Sequence, residues 1–352
     1  MIKILGLSLY GSLAASHRVR LGQYRSGLLN EGIDLQLHSL LDNSYLQKRF
    51  QNGQRPIAPV IAAYVERLCH LLTRWRFDAV IVHCELFPLM PGWLERALLT
   101  LPYVYDFDDA FYLRYQNGRL AMLNSFLGRK FDRVMSGASA VTAGNSYLAA
   151  YAKSHNANVT VLPSVVDTDN YCKYNVSENS VFTVGWVGSP STAEYLQRLV
   201  RPLEILGEKT AIRFVVVGGM APPIANVEVH EIPWAEESEV ELINSFDVGV
   251  MPLPDDEWAR GKCAFKLIQY MACGVPVVAS KVGANIELVT PECGFLAETD
   301  EHWVDALTQL REKTLLRKQM GVMSRRRVVD AYSLKNNLPV LTNVIRKVTR
   351  KS

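Results

Sequence analysis

At roughly 150 residues per domain, 352 residues predict two domains. Lys and Arg number 38 against 35 Asp and Glu, a net charge of +3, so no strong field points to nucleic acid or to an acidic ligand. With 49% hydrophobic and 21% charged residues, the composition is globular and excludes a disordered or fibrous chain.

In chain order, short β-rich apolar runs alternate with helical patterns. Strands are expected over 2–9, 35–40, 79–83, 103–107, 140–143 and 159–162, then over 182–187, 213–217, 227–232, 248–251 and 275–279. Helices are expected between them, over 18–29, 119–135, 195–206, 240–245, 265–272 and 303–310. Strands alternating with helices imply parallel sheets covered on both faces, and right-handed crossovers make each half a doubly wound unit. The fold class is therefore α/β, two doubly wound Rossmann-like domains.

The polar stretch 163–180 has no helical period and marks the boundary. Residues 333–352 read as a final helix that packs back on the first half. The expected domains are 1–165 with 333–352, and 166–332.

Cys69, Cys84, Cys172, Cys263, Cys273 and Cys293 form no CxxC pair, which argues against a zinc site or disulfide framework and for a reduced compartment. No apolar run reaches about 18 residues, so no spanning helix is expected. Lys3 and the apolar run after it loosely resemble a signal peptide, but the run breaks at Tyr10-Gly11-Ser12 and reads as the first strand. A cytoplasmic location follows, and the sequons at Asn158 and Asn175 then carry no meaning.

Open parallel sheets bind ligands beyond the carboxyl ends of their strands. After the first strand, Gly11 and Ser12 allow close backbone approach, Ser16 is a candidate N-cap, and Arg18 and Arg20 offer bidentate contacts to phosphate. Solvated arginines on a plain turn are the alternative. After the fourth strand, Asp106, Asp108 and Asp109 place three carboxylates in four residues, able to orient a hydroxyl or take its proton, or simply to cap a helix. Asp106-Phe107-Asp108 spells a DxD, a motif too short to assign a metal, and none is assigned.

The second half opens with a strand, then Gly188 and Ser189 at a helix start suited to a diphosphate. Trp234 follows a strand and could flank a nucleobase. In the stretch from Trp258 to Ser280, Gly261 is read as a helix start, with Lys262 and Lys266 one turn apart on one face, ready for an anion. Gly283 opens another helix, with Asn285 and Glu287 beside it.

The run Gly261-Lys262-Cys263-x-Phe265-Lys266-x-x-Gln269-Tyr270-Met271-Ala272-x-Gly274-x-Pro276-Val277-Val278 resembles the retaining glycosyltransferases of the family-4 type, as do Tyr105 to Phe111, Ala143 to Asn145, Pro163 to Asp167, Gly185 to Thr192 and Pro233-Trp234. The likeness extends over nearly the whole chain, toward a bacterial subgroup of surface-polysaccharide enzymes. It implies the GT-B fold, with two facing domains and a cleft between them, the nucleotide sugar on the C-terminal domain and the acceptor on the N-terminal one. It implies no cofactor beyond the nucleoside-diphosphate sugar itself.

The chain departs from the pattern where the family carries two glutamates eight positions apart, since Gly261 and Gln269 stand there. The family's Arg and Lys after the first C-terminal loop are also missing beyond Gly188. Glu231 and Glu239 have the glutamate spacing but lie before the helix.

The expected activity is transfer of a sugar, with retention, from a nucleoside diphosphate to a hydroxyl of a glycan or lipid-linked acceptor. Gly11, Ser12, Gly188, Ser189, Trp234, Lys262, Lys266, Gln269, Asn285 and Glu287 would hold the donor. Asp108 and Asp109, with Lys262 and Lys266, would serve catalysis, and Ser16, Arg18 and Asp106 would line the acceptor side. Lys262→Ala should cut turnover by orders of magnitude. A nucleotide-sugar epimerase of the same fold and an inactive nucleotide-sugar-binding subunit are the rival readings. An NAD-dependent oxidoreductase is disfavoured by the lack of GxGxxG. The basic residues Arg325 to Arg327 and Arg346 to Lys351 suggest weak contact with anionic lipid at the inner face of the cell membrane.

Overall fold

The computed structural model describes residues 1–52, 57–116, 122–173 and 179–350. It divides into two compact units, Met1–Ser164 with Asn337–Ser352, and Val165–Asn336.

The first unit holds β1 (Ile2–Tyr10), β2 (Ile33–Leu41), β3 (Ala79–His83), β4 (Tyr103–Phe107), β5 (Ala140–Ala143) and β6 (Val159–Val161). They form one parallel sheet in the order β2-β1-β3-β4-β5-β6. Every residue of β3, β4 and β5 is buried, which is why these strands read as continuous apolar runs rather than alternating ones.

The second unit holds β7 (Phe182–Val187), β8 (Ile212–Val217), β9 (Glu228–Ile232), β10 (Val248–Met251), β11 (Val277–Ser280) and β12 (Gly294–Ala297), ordered β12-β11-β10-β7-β8-β9 and again parallel. Two apolar clusters cover the two faces of this sheet, one around Leu267, Ile268 and Met271, the other around Leu199, Leu203 and Leu307. Each unit thus has a point where the strand order reverses: between β1 and β3, and between β7 and β10.

Three expectations change. The helix expected over 18–29 is broken into Ala15–Arg20, a tight turn at Gly22–Tyr24 and Arg25–Asn30. Of the helix expected over 119–135, residues 119–121 lie outside the described residues; beyond them the chain forms Asn124–Leu127 and Lys130–Gly137. Gly128 separates the two, where a Cβ would fall 2.6 Å from the Asn124 carbonyl oxygen. β12 is a strand that the sequence reading did not contain. The sequon at Asn175 and Lys351 of the basic tail also lie outside the described residues.

The basic clusters do structural work. Arg325 donates to the carbonyls of Thr168 (2.7 Å), Ala272 (2.6 Å) and Tyr171. Arg327 donates to those of Glu287 and Leu288, and Arg346 pairs with Glu31 at 3.0 Å. Arg326 stays exposed, 3.7 Å from Asp330. Among the described residues no helix is long and apolar enough to cross a membrane.

Buried ion pairs knit the loops after β3. Lys130 reaches Glu85 (2.6 Å), Glu95 (3.0 Å) and the Phe87 carbonyl (2.6 Å), and Tyr115 and Arg114 also donate to Glu85. Burial outweighs the attraction of Lys130 and pushes the Glu95 carboxyl up to about 7. A carboxyl raised by folding stabilises below its unfolded value, and that contribution is lost as pH rises through the folded one. Chemical denaturation of Glu95→Gln should therefore show a flatter fall in stability between about pH 4.5 and 7 than the wild type; identical slopes would count against this.

Candidate functional site

The reversal point of the second unit lies at the ends of β7 and β10. Gly188 follows β7, and its N–H donates to Val217 at 2.9 Å. A Cβ on Gly188 would sit 2.3 Å from the Trp186 ring and 2.8 Å from Lys266 Cε. Gly218, after β8, has φ +79°, and a Cβ there would meet the Gly188 carbonyl oxygen at 2.3 Å and Trp234 Cβ at 2.9 Å. Only glycine fits either place. The backbones of Gly188 and Gly218 therefore touch, with Lys266 on one side and Trp234 on the other. Lys266 Nζ stands 5.4 Å from the centre of the buried Trp186 ring.

Lys262 and Lys266 do not share a helical face. Asp256 caps the short helix Glu257–Arg260, accepting from the Ala259 N–H at 2.7 Å, and Gly261 ends that helix instead of starting one. The chain then turns through Ala264, at φ +54°, before the helix Phe265–Ala272 begins. Lys266 is the second residue of that helix, whereas Lys262 lies in the turn with its Nζ 5.9 Å from the Trp258 ring.

Gln269 is buried on the same helix. Its Nε2 donates to Glu239 at 2.8 Å and to the Tyr171 hydroxyl at 3.0 Å. Glu239 also accepts from Trp234 Nε1 at 2.6 Å and from the Tyr171 hydroxyl. A carboxylate with three donors fixes the plane of the half-buried Trp234 ring and the Gln269 amide together. Sequence reasoning set Glu239 aside because it precedes the helix; its pairing with Gln269 appears only once the helix Glu236–Asn244 packs on the helix Phe265–Ala272.

Ser189 caps the helix Pro190–Ala193, its N–H bonded to Thr192 Oγ1 at 3.4 Å and its hydroxyl to Ser191 at 2.9 Å. Asn285 is buried and spends its amide on the Ser280 carbonyl at 2.9 Å, so it folds its loop instead of facing a ligand. Glu287 is exposed on the helix Ala284–Leu288. Gly283, at φ +53°, lets that loop pack on Arg260, whose carbonyl oxygen a Cβ would meet at 2.7 Å.

In the first unit, Gly11 and Ser12 follow β1. Asn43 holds that turn, accepting from Leu13 N–H at 3.0 Å and donating to Ser12 Oγ at 2.9 Å. Arg18 donates to the Ser12 and Leu13 carbonyls at 2.7 and 3.1 Å, so it braces this loop. Ser16 is not the N-cap: the helix starts at Ala15, with Ala14 before it.

Arg20 and Asp106 change most from expectation. Both are buried, and Arg20 grips Asp106 through Nη2–Oδ1 (2.5 Å) and Nε–Oδ2 (3.1 Å), so neither faces a ligand. His83 Nδ1 lies 2.7 Å from Asp106 Oδ2, and Thr142 donates to Oδ1 at 2.6 Å. Burial alone would raise the Asp106 pKa. The Arg20 charge and the hydrogen bonds from His83 and Arg20 instead hold it well below the ordinary carboxylate range.

Asp108 and Asp109 are part-exposed at the end of β4. Asp108 Oδ1 lies 3.9 Å from both His83 Nε2 and Cys84 Sγ, and those two atoms are 3.0 Å apart. These three donor atoms form a group of metal-ligating type. Burial, with Asp108, Asp106 and Asp109 nearby, pushes the Cys84 thiol well above its usual value.

Residues 178–313 match the profile of the family described as Glycosyl transferases group 1. No curated protein matches the sequence significantly. Among solved structures, sucrose-phosphate synthase from Thermosynechococcus elongatus is similar with a TM-score of 0.72 at 15% identity, covering 100% of both chains. A glycosyltransferase from Rickettsia africae has a TM-score of 0.69 at 13% identity, covering 100% of this chain and 99% of that one. Anabaena HepE in complex with UDP-glucose has a TM-score of 0.69 at 14% identity, covering 98% and 100%. Two six-stranded parallel sheets with flanking helices, matched over the full chain by these structures, are the GT-B fold.

Proposed function

We propose that this chain is a glycosyltransferase of the family-4 type that moves a sugar, with retention, from a nucleoside diphosphate to a hydroxyl of a glycan or lipid-linked acceptor in surface-polysaccharide assembly. The observation that carries the reading is the junction of Gly188, Gly218, Lys266 and Trp234 within the region that matches the group 1 profile. Bare backbone lets a diphosphate approach, and the Lys266 ammonium faces the charge that grows on it as the glycosidic bond breaks. Trp234, with its plane set by Glu239, flanks the base. Asp108 or Asp109 orients the acceptor hydroxyl on the first unit. The departing phosphate takes the acceptor's proton, so no protein nucleophile is required. A cytoplasmic setting goes with this reading.

The test is a thermal-shift screen of nucleoside-diphosphate sugars, UDP-glucose first because HepE is solved with it. A donor that binds only the folded chain raises its melting temperature. Release of nucleoside diphosphate on adding an acceptor then completes the proof. Conversion of the donor without acceptor would favour an epimerase, and binding without transfer an inactive subunit. Glu239→Gln should weaken the grip on Trp234 and raise the donor KM by roughly tenfold, the cost of one charged hydrogen bond, while kcat changes less. An unchanged KM would remove Glu239 from the site.

A further inference from the structure

The ends of β3 and β4 carry a constellation outside the region that matches the glycosyltransferase profile. His83 and Asp106 are register partners on these neighbouring strands, so their side chains stand on one face of the sheet. His83 Nδ1 lies 2.7 Å from Asp106 Oδ2. Arg20 holds Asp106 as a carboxylate, which can only accept, so Nδ1 carries the proton. In the neutral ring the lone pair then sits on Nε2, on the far side from Asp106. A carboxylate behind an imidazole is the usual support of a metal-binding histidine.

Nε2 stands 3.0 Å from Cys84 Sγ and 3.9 Å from Asp108 Oδ1, and Asp108 Oδ1 is also 3.9 Å from Sγ. Successive residues of a strand point to opposite faces, so His83 and Cys84 would diverge in an extended chain. Cys84 instead takes φ +66°, and its sulfur comes back to the imidazole. That conformation is costly for a residue with a Cβ. It is pinned from both sides: the Cys84 N–H donates to the Asp106 carbonyl at 2.8 Å, and its carbonyl accepts from the Tyr105 hydroxyl at 2.7 Å. Asp108, two residues beyond Asp106, closes the group. His83 and Cys84 are buried and Asp108 is part-exposed, so the group opens to solvent on the Asp108 side.

We infer that His83 Nε2, Cys84 Sγ and Asp108 Oδ1 bind one zinc ion. One nitrogen, one sulfur and one oxygen donor suit a borderline-soft dication, whereas magnesium and calcium take oxygens. Ligands of tetrahedral zinc stand about 3.3–3.5 Å apart when the bonds are about 2.0–2.3 Å, so each pair here has to move by about half an ångström. The Asp108 carboxylate and the Cys84 thiolate offset the two positive charges. The thiol proton leaves to solvent as the sulfur binds, and no electron is transferred. Neighbouring carboxylates that oppose a bare thiolate draw a dication, and bound zinc deprotonates its thiol outright. Three protein ligands leave a fourth position for water. Asp106-Phe107-Asp108 thus divides its carboxylates, one behind the histidine and one on the metal. The ion ties the loop after β3 to the loop after β4 and leaves Asp109 to orient the acceptor hydroxyl. That last step rests on the proposed function; the zinc site does not.

The experiment incubates the full chain, without donor or acceptor, with zinc chloride or cobalt chloride and removes loose metal by gel filtration. One zinc per chain is expected by atomic emission, and the cobalt form should show a thiolate-to-metal charge-transfer band in the near ultraviolet. In competition with a chelator, Cys84→Ser and Asp108→Asn should each weaken zinc binding by roughly 100-fold or more, beyond the loss of about 10- to 100-fold that follows removal of a supporting group. Cys69→Ser and Cys263→Ser, at thiols nearer the surface, should leave it unchanged. If Cys84→Ser fails to fold, Asp108→Asn, at a part-exposed position, decides alone. No retained metal, or a cobalt form without the thiolate band, overturns the inference. Zinc kept equally by the folded Cys84→Ser and Asp108→Asn variants, or lost with Cys69→Ser or Cys263→Ser, means an adventitious ion only and overturns it too. Zinc bound as expected with no sugar transfer to any acceptor would count against the proposed function and not against the site.

Discussion

Lys266→Ala is expected to lower the rate of sugar transfer by about 100- to 1,000-fold, the usual loss when one group facing transition-state charge is removed. The lysine stem lies against Gly188, and its ammonium stands over the Trp186 ring, which is buried in β7. A cation held in advance costs no reorganisation when charge appears on the leaving diphosphate. The loss should fall mainly on kcat, because the charge grows only as the bond breaks. Lys266→Arg should not restore the rate, since a wide planar guanidinium spreads the charge that a compact ammonium concentrates at one point. Gly188→Ala provides an independent check: its Cβ would push Lys266 and Trp186 away while leaving the charge in the chain. Lys262→Ala should lose less, because Lys262 sits in a turn beside Trp258. Steady-state release of nucleoside diphosphate measures all four variants. A Lys266→Ala enzyme with a near-normal rate would remove the phosphate role from this residue.

The lysine pair shows how far periodicity reaches. Residues 262 and 266 are one turn apart only if a helix contains both. Gly261, which ends the first helix, and the left-handed Ala264 divide the segment into two helices, and a left-handed alanine has no sequence signature. The sheets were more readable, because continuous apolar runs such as Ala79–His83 can satisfy their backbone only inside a covered parallel sheet. β12 escaped because four residues with a part-exposed middle carry too little period.

Pairings across the fold were the least visible. Glu239 lies 30 residues from Gln269, and Arg20 lies 86 from Asp106. A charged side chain near a strand end looks the same in sequence whether it faces ligand or is buried against an opposite charge. Arg18 and Arg20 illustrate this: both were read as phosphate contacts, yet one braces a turn and the other is walled in. For the helix Ile57–Leu72 the stripe of aliphatic residues is in the sequence, but it does not say which side faces the sheet. Arg67 decides that by reaching three strand-end and loop carbonyls.

Asp106→Asn is expected to destabilise the first unit by about 3–5 kcal/mol, because removing one partner of a buried ion pair leaves the other charge unpaired. Against a total domain stability of about 5–15 kcal/mol, a loss of that size leaves a marginal fold. Asparagine keeps the shape and can still accept from Thr142, so the damage comes from charge and not from a cavity. Arg20 would retain its bond to the Leu162 carbonyl at 2.5 Å but face a neutral amide. Removing the stranded charge as well should recover part of the loss, so Arg20→Met with Asp106→Asn is expected to be more stable than Asp106→Asn alone. Acid should have little effect on the wild-type pair until strongly acidic pH. The folded Asp106 carboxyl is held well below its unfolded value, so its contribution is complete above the unfolded value and fades progressively as pH falls from there through the depressed one. Urea denaturation of the two variants, followed by near-ultraviolet circular dichroism, tests the sign of the coupling. If the double variant is the less stable, the two side chains contribute separately, and the ion pair is not what holds the strand ends of this unit together.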